Sequence, residues 1–91
     1  MKEIKIDENW TFENTVNHIK TLKFQYHEVL ASFSYFDLKE EVEFKKNVKK
    51  SIYNLKFVEW QKDLLWEYMN DDIEIDVLFN VLIRQKKRKM I

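Results

Sequence analysis

FENTVNHIKTLKFQYHEVLASFSY, residues 12–35, is the stretch of sequence that decides the fold. Its apolar side chains recur at steps of three and four residues, the spacing that places them on one side of an α-helix. These side chains are Phe12, Val16, Ile19, Leu22, Tyr26, Val29, Leu30 and Phe33. Thr11 stands where an N-cap is expected, because its hydroxyl can accept from a free backbone N–H of the first turn. The sequence therefore predicts a long amphipathic helix over residues 12–35.

A second amphipathic pattern follows a turn at residues 34–37. Asp37 and Glu40 have the spacing of a capping box, with Asp in place of the usual Ser or Thr. The apolar stripe of this helix is Phe44, Val48, Ile52 and Leu55. After Asn54 the apolar residues move to another side of the helix and continue to Met69. Such a change indicates a bend or a break, and we place it at Asn54 because Asn tolerates the left-handed backbone conformation well.

The segment of residues 71–91 fits two structures. Ile73, Ile75, Val77, Phe79, Val81 and Ile83 alternate along the chain. This alternation is typical of a β-strand. Leu78 and Leu82 interrupt the polar side of such a strand, however, and acids at the start with bases at the end match a helix dipole. We favour a helix that begins near Asp76. The predicted fold is an all-α bundle of three to four helices; the alternative is an α+β domain in which a strand at residues 73–83 pairs with residues 2–6.

Composition limits the class of protein. A chain of 91 residues with 45% hydrophobic residues is expected to form one domain, with an N-terminal arm at residues 1–8 and a basic tail at residues 84–91 that can be flexible. There is no Cys, no long apolar run and no apolar signal segment, so we expect a cytoplasmic protein that does not enter a membrane. There is no Gly either, which excludes the glycine-rich phosphate loops and leaves Asn or Asp for turns with positive φ.

The sequence contains no recognisable catalytic or metal-binding pattern. His18 and His27 are nine residues apart, so they point to opposite sides of one helix, and neither has a carboxylate among its helical neighbours. The acidic run at residues 71–76 lacks the central Gly and the final Glu of a calcium-binding loop. We therefore expect no enzyme activity, no cofactor and no bound metal.

An excess of aromatic residues is the most unusual feature: the chain has seven Phe, four Tyr and three Trp. Phe24 and Tyr35 lie on the predicted polar side of the first helix, Trp66 lies on the polar side of the next, and Trp60 lies between core and surface. Tyr and Trp are favoured in interfaces because they offer a large contact area at a low entropic cost. We therefore expect these four residues to bind a partner, either another protein or a second copy in a homodimer.

A run of bases without acids occupies the last residues of the chain. It contains Arg84, Lys86, Lys87, Arg88 and Lys89. These bases can contact phosphates, but they also suit the end of a helix, and the net charge of zero does not favour a dedicated nucleic-acid-binding protein. The leading hypothesis is a small non-enzymatic protein that binds and modulates or inhibits a macromolecule, of a kind typical of phages or mobile elements. The alternative is a nucleic-acid-binding regulator with a helix-turn-helix-like C-terminal half.

Overall fold

The computed structural model describes residues 4–89, and the side chains of the last helix through Lys87. Within this range the chain forms four α-helices and no strand. They are α1 (Phe12–Ser32), α2 (Leu38–Tyr53), α3 (Glu59–Met69) and α4 (Ile75–Lys89). A 3-10 turn, Tyr35–Asp37, joins α1 to α2. The all-α prediction is confirmed. The α+β alternative is wrong, because the segment expected to form its second strand lies mostly in α4.

The first helix begins where predicted and ends earlier. Thr11 has an extended backbone, and its hydroxyl oxygen accepts from the Asn14 N–H at 3.1 Å, as expected of an N-cap. α1 ends at Ser32 rather than at residue 35, so Tyr35 lies in the connection. The predicted capping box at Asp37 is also wrong. The Asp37 carboxylate instead accepts from the backbone N–H and the hydroxyl of Ser34, at 3.1 and 2.9 Å, and this closes the 3-10 turn.

The break after α2 lies at Asn54, as predicted, but the backbone there is right-handed, with φ −86° and ψ −8°. Within residues 4–89 the only residue with positive φ is Asp71, with φ 62°, in the turn before α4. Across the break, the Tyr53 hydroxyl donates to the Asp63 carboxylate and connects α2 to α3. This hydrogen bond is the largest of the effects that raise the pKa of Tyr53 to about 12.

The apolar stripes of the four helices meet in one core. Its buried residues are Phe12, Val16, Ile19, Leu22, Tyr26, Phe44, Val48, Ile52, Leu55, Leu65, Tyr68, Met69, Leu78 and Leu82. The stripes predicted for α1 and α2 are confirmed, since all of their residues are buried or packed against the core. Ile4 and Ile6 also pack against it, so the N-terminal segment contributes apolar contacts. α3, the shortest helix, packs against each of the other three.

Tyr26 occupies the centre of this core and has no exposed surface. Its ring stacks on Phe44 with 5.7 Å between centroids, and meets Trp66 edge to face at 5.9 Å. Its hydroxyl donates to the Asn70 side-chain oxygen at 3.3 Å. Burial raises the pKa of this hydroxyl. One side chain of α1 therefore contacts α2, α3 and the residue that follows α3.

Candidate interaction surfaces

The two histidines have different surroundings. His18 is exposed, and its ring stacks on Trp10 with 5.1 Å between centroids. The Nε2 atom of His27 lies 2.8 Å from the Met69 carbonyl oxygen and 3.5 Å from the Asp71 carboxylate. Because a carbonyl only accepts, Nε2 of His27 must carry a proton and donate to it. The helical neighbours of His27 gave no sign of a carboxylate, because Asp71 comes from a distant part of the chain.

His27 belongs to a polar cluster that holds the α3–α4 turn, residues 70–74, against α1. Lys23 forms an ion pair with the same Asp71 carboxylate, and its Nζ atom lies 4.3 Å from the centroid of the Tyr68 ring. The hydrogen bond from Lys23 is the main reason that the pKa of Asp71 is lowered. The cluster stabilises the left-handed backbone of Asp71, a conformation that Gly would adopt more easily. This structural role explains why Lys23, His27 and Asp71 lie together.

The described helices show neither a metal-binding cluster nor a membrane span. In the part of the chain that the structure describes, no group of three or more His, Cys, Asp or Glu side chains is arranged to hold a metal ion. None of the helices between residues 4 and 89 combines the length and the apolar character needed to cross a bilayer. The remaining candidates are exposed surfaces.

The connection between α1 and α2 carries the most exposed large apolar side chains of the described residues. Tyr35 is 80% exposed and Phe36 is 91% exposed, and their rings meet edge to face with 5.6 Å between centroids. Leu38 and Val42, 57% and 65% exposed, follow one helical turn apart at the start of α2. We call these four residues the corner patch.

The geometry of α2 explains why the corner patch faces solvent. Phe44 and Val48 point into the core, where Phe44 also contacts Phe33 with 5.8 Å between ring centroids. Leu38 and Val42 lie on average roughly 100° around the helix from the centre of the buried stripe that Phe44, Val48 and Ile52 form, so α2 turns them away from the core. Sequence reasoning singled out Tyr35 and missed Phe36, because residues in a connection follow no periodicity that would assign them to a side.

A second surface is formed by α4 and the start of α3. Trp60, Val81, Arg84 and Gln85 line a cavity of about 230 Å³. Val77, 40% exposed, lies one turn before Val81 on the same side of α4. We call these five residues the α4 face. Trp60 and Arg84, which sequence reasoning assigned to two different kinds of partner, therefore lie together.

The α4 face also shows how α3 and α4 are arranged. Trp60 and Arg84 each lie about two and a half helical turns from the α3–α4 turn. Since both line one cavity, α4 turns back toward α3 and the far ends of the two helices come together.

The remaining predicted aromatic residues lie apart from both surfaces. Phe24 is 68% exposed, on the side of α1 away from the core. Trp66 is partly buried and packs against the core, so its predicted place on a polar side is wrong. The reason is that α3 packs against the other three helices, so that side chains outside its predicted apolar arc are also covered, and the Trp66 ring meets Tyr26 of α1. The Lys49 ammonium lies 6.0 Å from the centroid of the Trp66 ring.

The basic run forms the last turns of α4 and is not a separate tail through Lys89. Lys86 forms an ion pair with Glu13 of α1 at 2.8 Å. Arg84 and Lys87 are exposed. The side chains of Arg88 and Lys89 lie outside the described part of the structure.

The exposed candidates therefore do not form one site, and Phe24 belongs to neither of the two surfaces. The corner patch includes Tyr35, and the α4 face includes Trp60 and Arg84. Comparison with protein families, curated proteins and solved structures finds no match for this chain.

Proposed function

We propose that this protein is a non-enzymatic binding module that recognises another protein through the corner patch and thereby modulates or inhibits it. The observation that carries this proposal is the exposure of Phe36, 91%, beside Tyr35, 80%. Burying apolar surface is worth about 25 cal/mol per Å². Two neighbouring rings that stay in solvent after folding can therefore still contribute free energy when a partner buries them.

The corner patch has the features of a protein-binding surface. The Tyr35 and Phe36 rings already contact each other edge to face, so binding a partner immobilises less side-chain motion. Leu38 and Val42 extend the apolar area, and the exposed Lys39 and Glu43 beside them supply charges of both signs at its rim. Apolar centres with a polar rim are typical of protein interfaces. A partner with an apolar groove fits this arrangement better than a phosphate backbone does.

Nucleic-acid binding is the second candidate, and the exposure of Arg84 and Lys87 on α4 supports it. Two features count against it. Lys86 is already paired with Glu13, and the start of α4 carries Asp76, where the recognition helix of a helix-turn-helix would meet DNA. We therefore place this candidate second.

The proposal is tested by site-specific photo-crosslinking in extracts of the native host. The photoreactive residue p-benzoyl-phenylalanine replaces Phe36 in one variant and Phe24, an equally apolar exposed residue on α1, in the control. We expect a protein adduct at position 36 that is absent at position 24 and insensitive to nuclease. Identical adducts at both positions, or adducts lost on nuclease treatment, would contradict the proposal.

The identified partner then allows a quantitative test. Phe36→Ala is expected to weaken its binding about 30-fold, the loss typical of a central aromatic residue in an interface. Phe24→Ala is the matched control and is expected to leave the dissociation constant unchanged. Isothermal titration of both variants measures this difference. Unchanged affinity in Phe36→Ala would show that the corner patch is not the binding surface.

A further inference from the structure

Four charged side chains near the two ends of α4 form no ion pair among the described residues. Glu74 and Asp76 lie at its start, and Arg84 and Lys87 near its end. Among residues 4–87, none of these four side chains forms an ion pair, whereas Lys86 next to them pairs with Glu13. The helix therefore presents an acidic end and a basic end to solvent.

The α4 face lies between these charges. Val77, Val81 and Arg84 fall within roughly 60° of one another around the helix axis. Trp60 of α3, 49% exposed, stands beside them. Acidic side chains flank this face toward the start of α4 and basic side chains toward its end. Asp76 and Lys87 lie roughly 90–110° around the helix from the centre of the face, and the exposed Asn80 is midway between them along the chain.

We propose that a second copy of this chain covers the α4 face, with the two α4 helices packed antiparallel about a two-fold axis near Asn80 and Val81. In that arrangement Glu74 of one chain lies opposite Lys87 of the second copy, and Val77 lies opposite Arg84. A two-fold interface must be complementary to itself, because the same surface contributes both sides. A helix that is acidic at one end and basic at the other meets this condition when antiparallel, and a parallel pair would place like charges together.

The cavity supports a side chain as its occupant. Its volume, about 230 Å³, is below the roughly 300–1,000 Å³ of pockets that enclose a whole small molecule. In the antiparallel arrangement, Val77 of the second copy comes next to the cavity between Trp60 and Val81. Its apolar side chain is then buried against the indole ring.

The same face does not suit a polyanion. A nucleic-acid strand that follows α4 from Arg84 toward its start meets Asp76 and then Glu74, which repel phosphates. A partner that carries both signs of charge in the reverse order avoids this repulsion, and α4 of the second copy carries them. The inference does not depend on the proposed function, because the two surfaces lie at different ends of α1. The corner patch follows the C-terminal end of α1. The Lys86–Glu13 pair ties the basic end of α4 to the beginning of that helix.

The test uses two charge-reversed forms of the full chain. Glu74→Lys/Asp76→Lys makes both ends of α4 basic, and Arg84→Glu/Lys87→Glu makes both ends acidic. Sedimentation velocity at low ionic strength is expected to show a dimer for the unmodified protein. Each variant alone is expected to dissociate with a dissociation constant raised about tenfold or more, because like charges then face each other across the interface. An equimolar mixture of the two variants is expected to recover a dimer, and added salt to weaken it.

Recovery of a dimer in the mixture shows that the single variants dissociate because of their charges and not because they misfold. A misfolded variant would not form a dimer with the oppositely charged variant. Circular dichroism of each variant checks its helix content. Glu28→Lys, a charge reversal on the exposed side of α1, is the control and is expected to remain dimeric. A monomeric unmodified protein, a mixture that stays monomeric, or variants that stay dimeric would each overturn the inference.

A further variant separates this inference from the corner patch. Phe36→Ala is expected to sediment as the unmodified dimer even if it loses binding to its protein partner. Dissociation of the dimer by Phe36→Ala would show that the second copy binds the corner patch, and would overturn the inference. An unmodified dimer together with failed crosslinking at position 36 would leave the α4 interface standing and remove the proposed function.

Discussion

The α1–α2 connection and the α3–α4 turn both lack Gly and Pro, but different kinds of contact hold them in place. In the α3–α4 turn, Asp71 pairs with Lys23 of a helix far away in sequence, and His27 of the same helix bonds to the Met69 carbonyl. At the α1–α2 connection, Ser34 and Asp37 bond to each other and close the turn locally.

The two turns differ in whether their large side chains contribute to the stability of the fold or stay exposed. The α3–α4 turn is fixed from outside, so its neighbouring side chains contribute contacts to the core. At the α1–α2 connection, Ser34 and Asp37 close the turn while Phe33 packs against the core, and the aromatic rings of Tyr35 and Phe36 are left in solvent. A protein of this size has a free energy of unfolding of only about 5–15 kcal/mol, so the placement of each large apolar side chain matters. We propose that these exposed rings are the apolar area that a protein partner covers.

The largest expected effect compares two aromatic residues that lie in these opposite environments. Tyr26→Ala removes a fully buried ring that contacts Phe44 and Trp66 and bonds to Asn70, so it is expected to lower the free energy of unfolding by about 3–5 kcal/mol. Phe36→Ala removes a ring that is exposed, so its effect is expected to stay within about 0.5 kcal/mol. Urea denaturation followed by circular dichroism measures both. Similar losses in the two variants would break the comparison.

A smaller effect is expected at Asp71, where charge and backbone conformation can be separated. Asp71→Asn removes the carboxylate charge but keeps a residue that tolerates positive φ. Asp71→Ala removes the charge and also the tolerance of positive φ. The melting temperature is therefore expected to fall slightly in Asp71→Asn and further in Asp71→Ala. Asp72→Asn, an exposed neighbour without an ion pair among the described residues, is the control for charge alone. Equal melting temperatures for the Asn and Ala variants at position 71 would mean that the left-handed conformation does not matter.

The smallest effect is the pH dependence of that same ion pair. The pKa of Asp71 is lowered from 3.8 by Lys23, so its carboxylate stabilises the folded state above that value. This contribution to the free energy of unfolding begins to fall when the pH drops below 3.8. It is lost once the pH has also passed the lowered pKa of the folded state. The difference in free energy of unfolding between the unmodified protein and Asp71→Asn is therefore expected to shrink over this acidic range. A difference that stays constant down to pH 2 would show that Lys23 does not act on this charge.

Some of this architecture can be read from the sequence because helical periodicity is a local signal. The stripes of α1 and α2 were predicted in full, and so was the break at Asn54. The helix at the C-terminus was harder to identify, because β-branched residues alternate there as in a strand. Tertiary packing decides it: Leu78 and Leu82, four residues apart, are the buried residues of α4, while Val77 and Ile83 are left exposed.

The candidate surfaces depended on information that no local pattern contains. The place of Trp66 could not be read from the pattern of α3 alone, because three helices pack around α3 and cover side chains outside its apolar arc. The meeting of Trp60 with Arg84 depends on α4 turning back toward α3. Phe36 sits in a connection, where only the folded structure shows which way a ring points.

The size of α3 has one more consequence, for the local opening of the bundle. It has 11 residues, and helices shorter than about 12–15 residues are marginal on their own in water. It nevertheless packs against α1, α2 and α4, and Leu65 and Met69 within it have no exposed surface. The amide hydrogens around Leu65 and Met69 are therefore expected to exchange with solvent only when the whole bundle opens, whereas the outer turns of α2 and α4 can fray separately. The buried half of the shortest helix is therefore expected to have the exchange rate that reports the global stability of the protein.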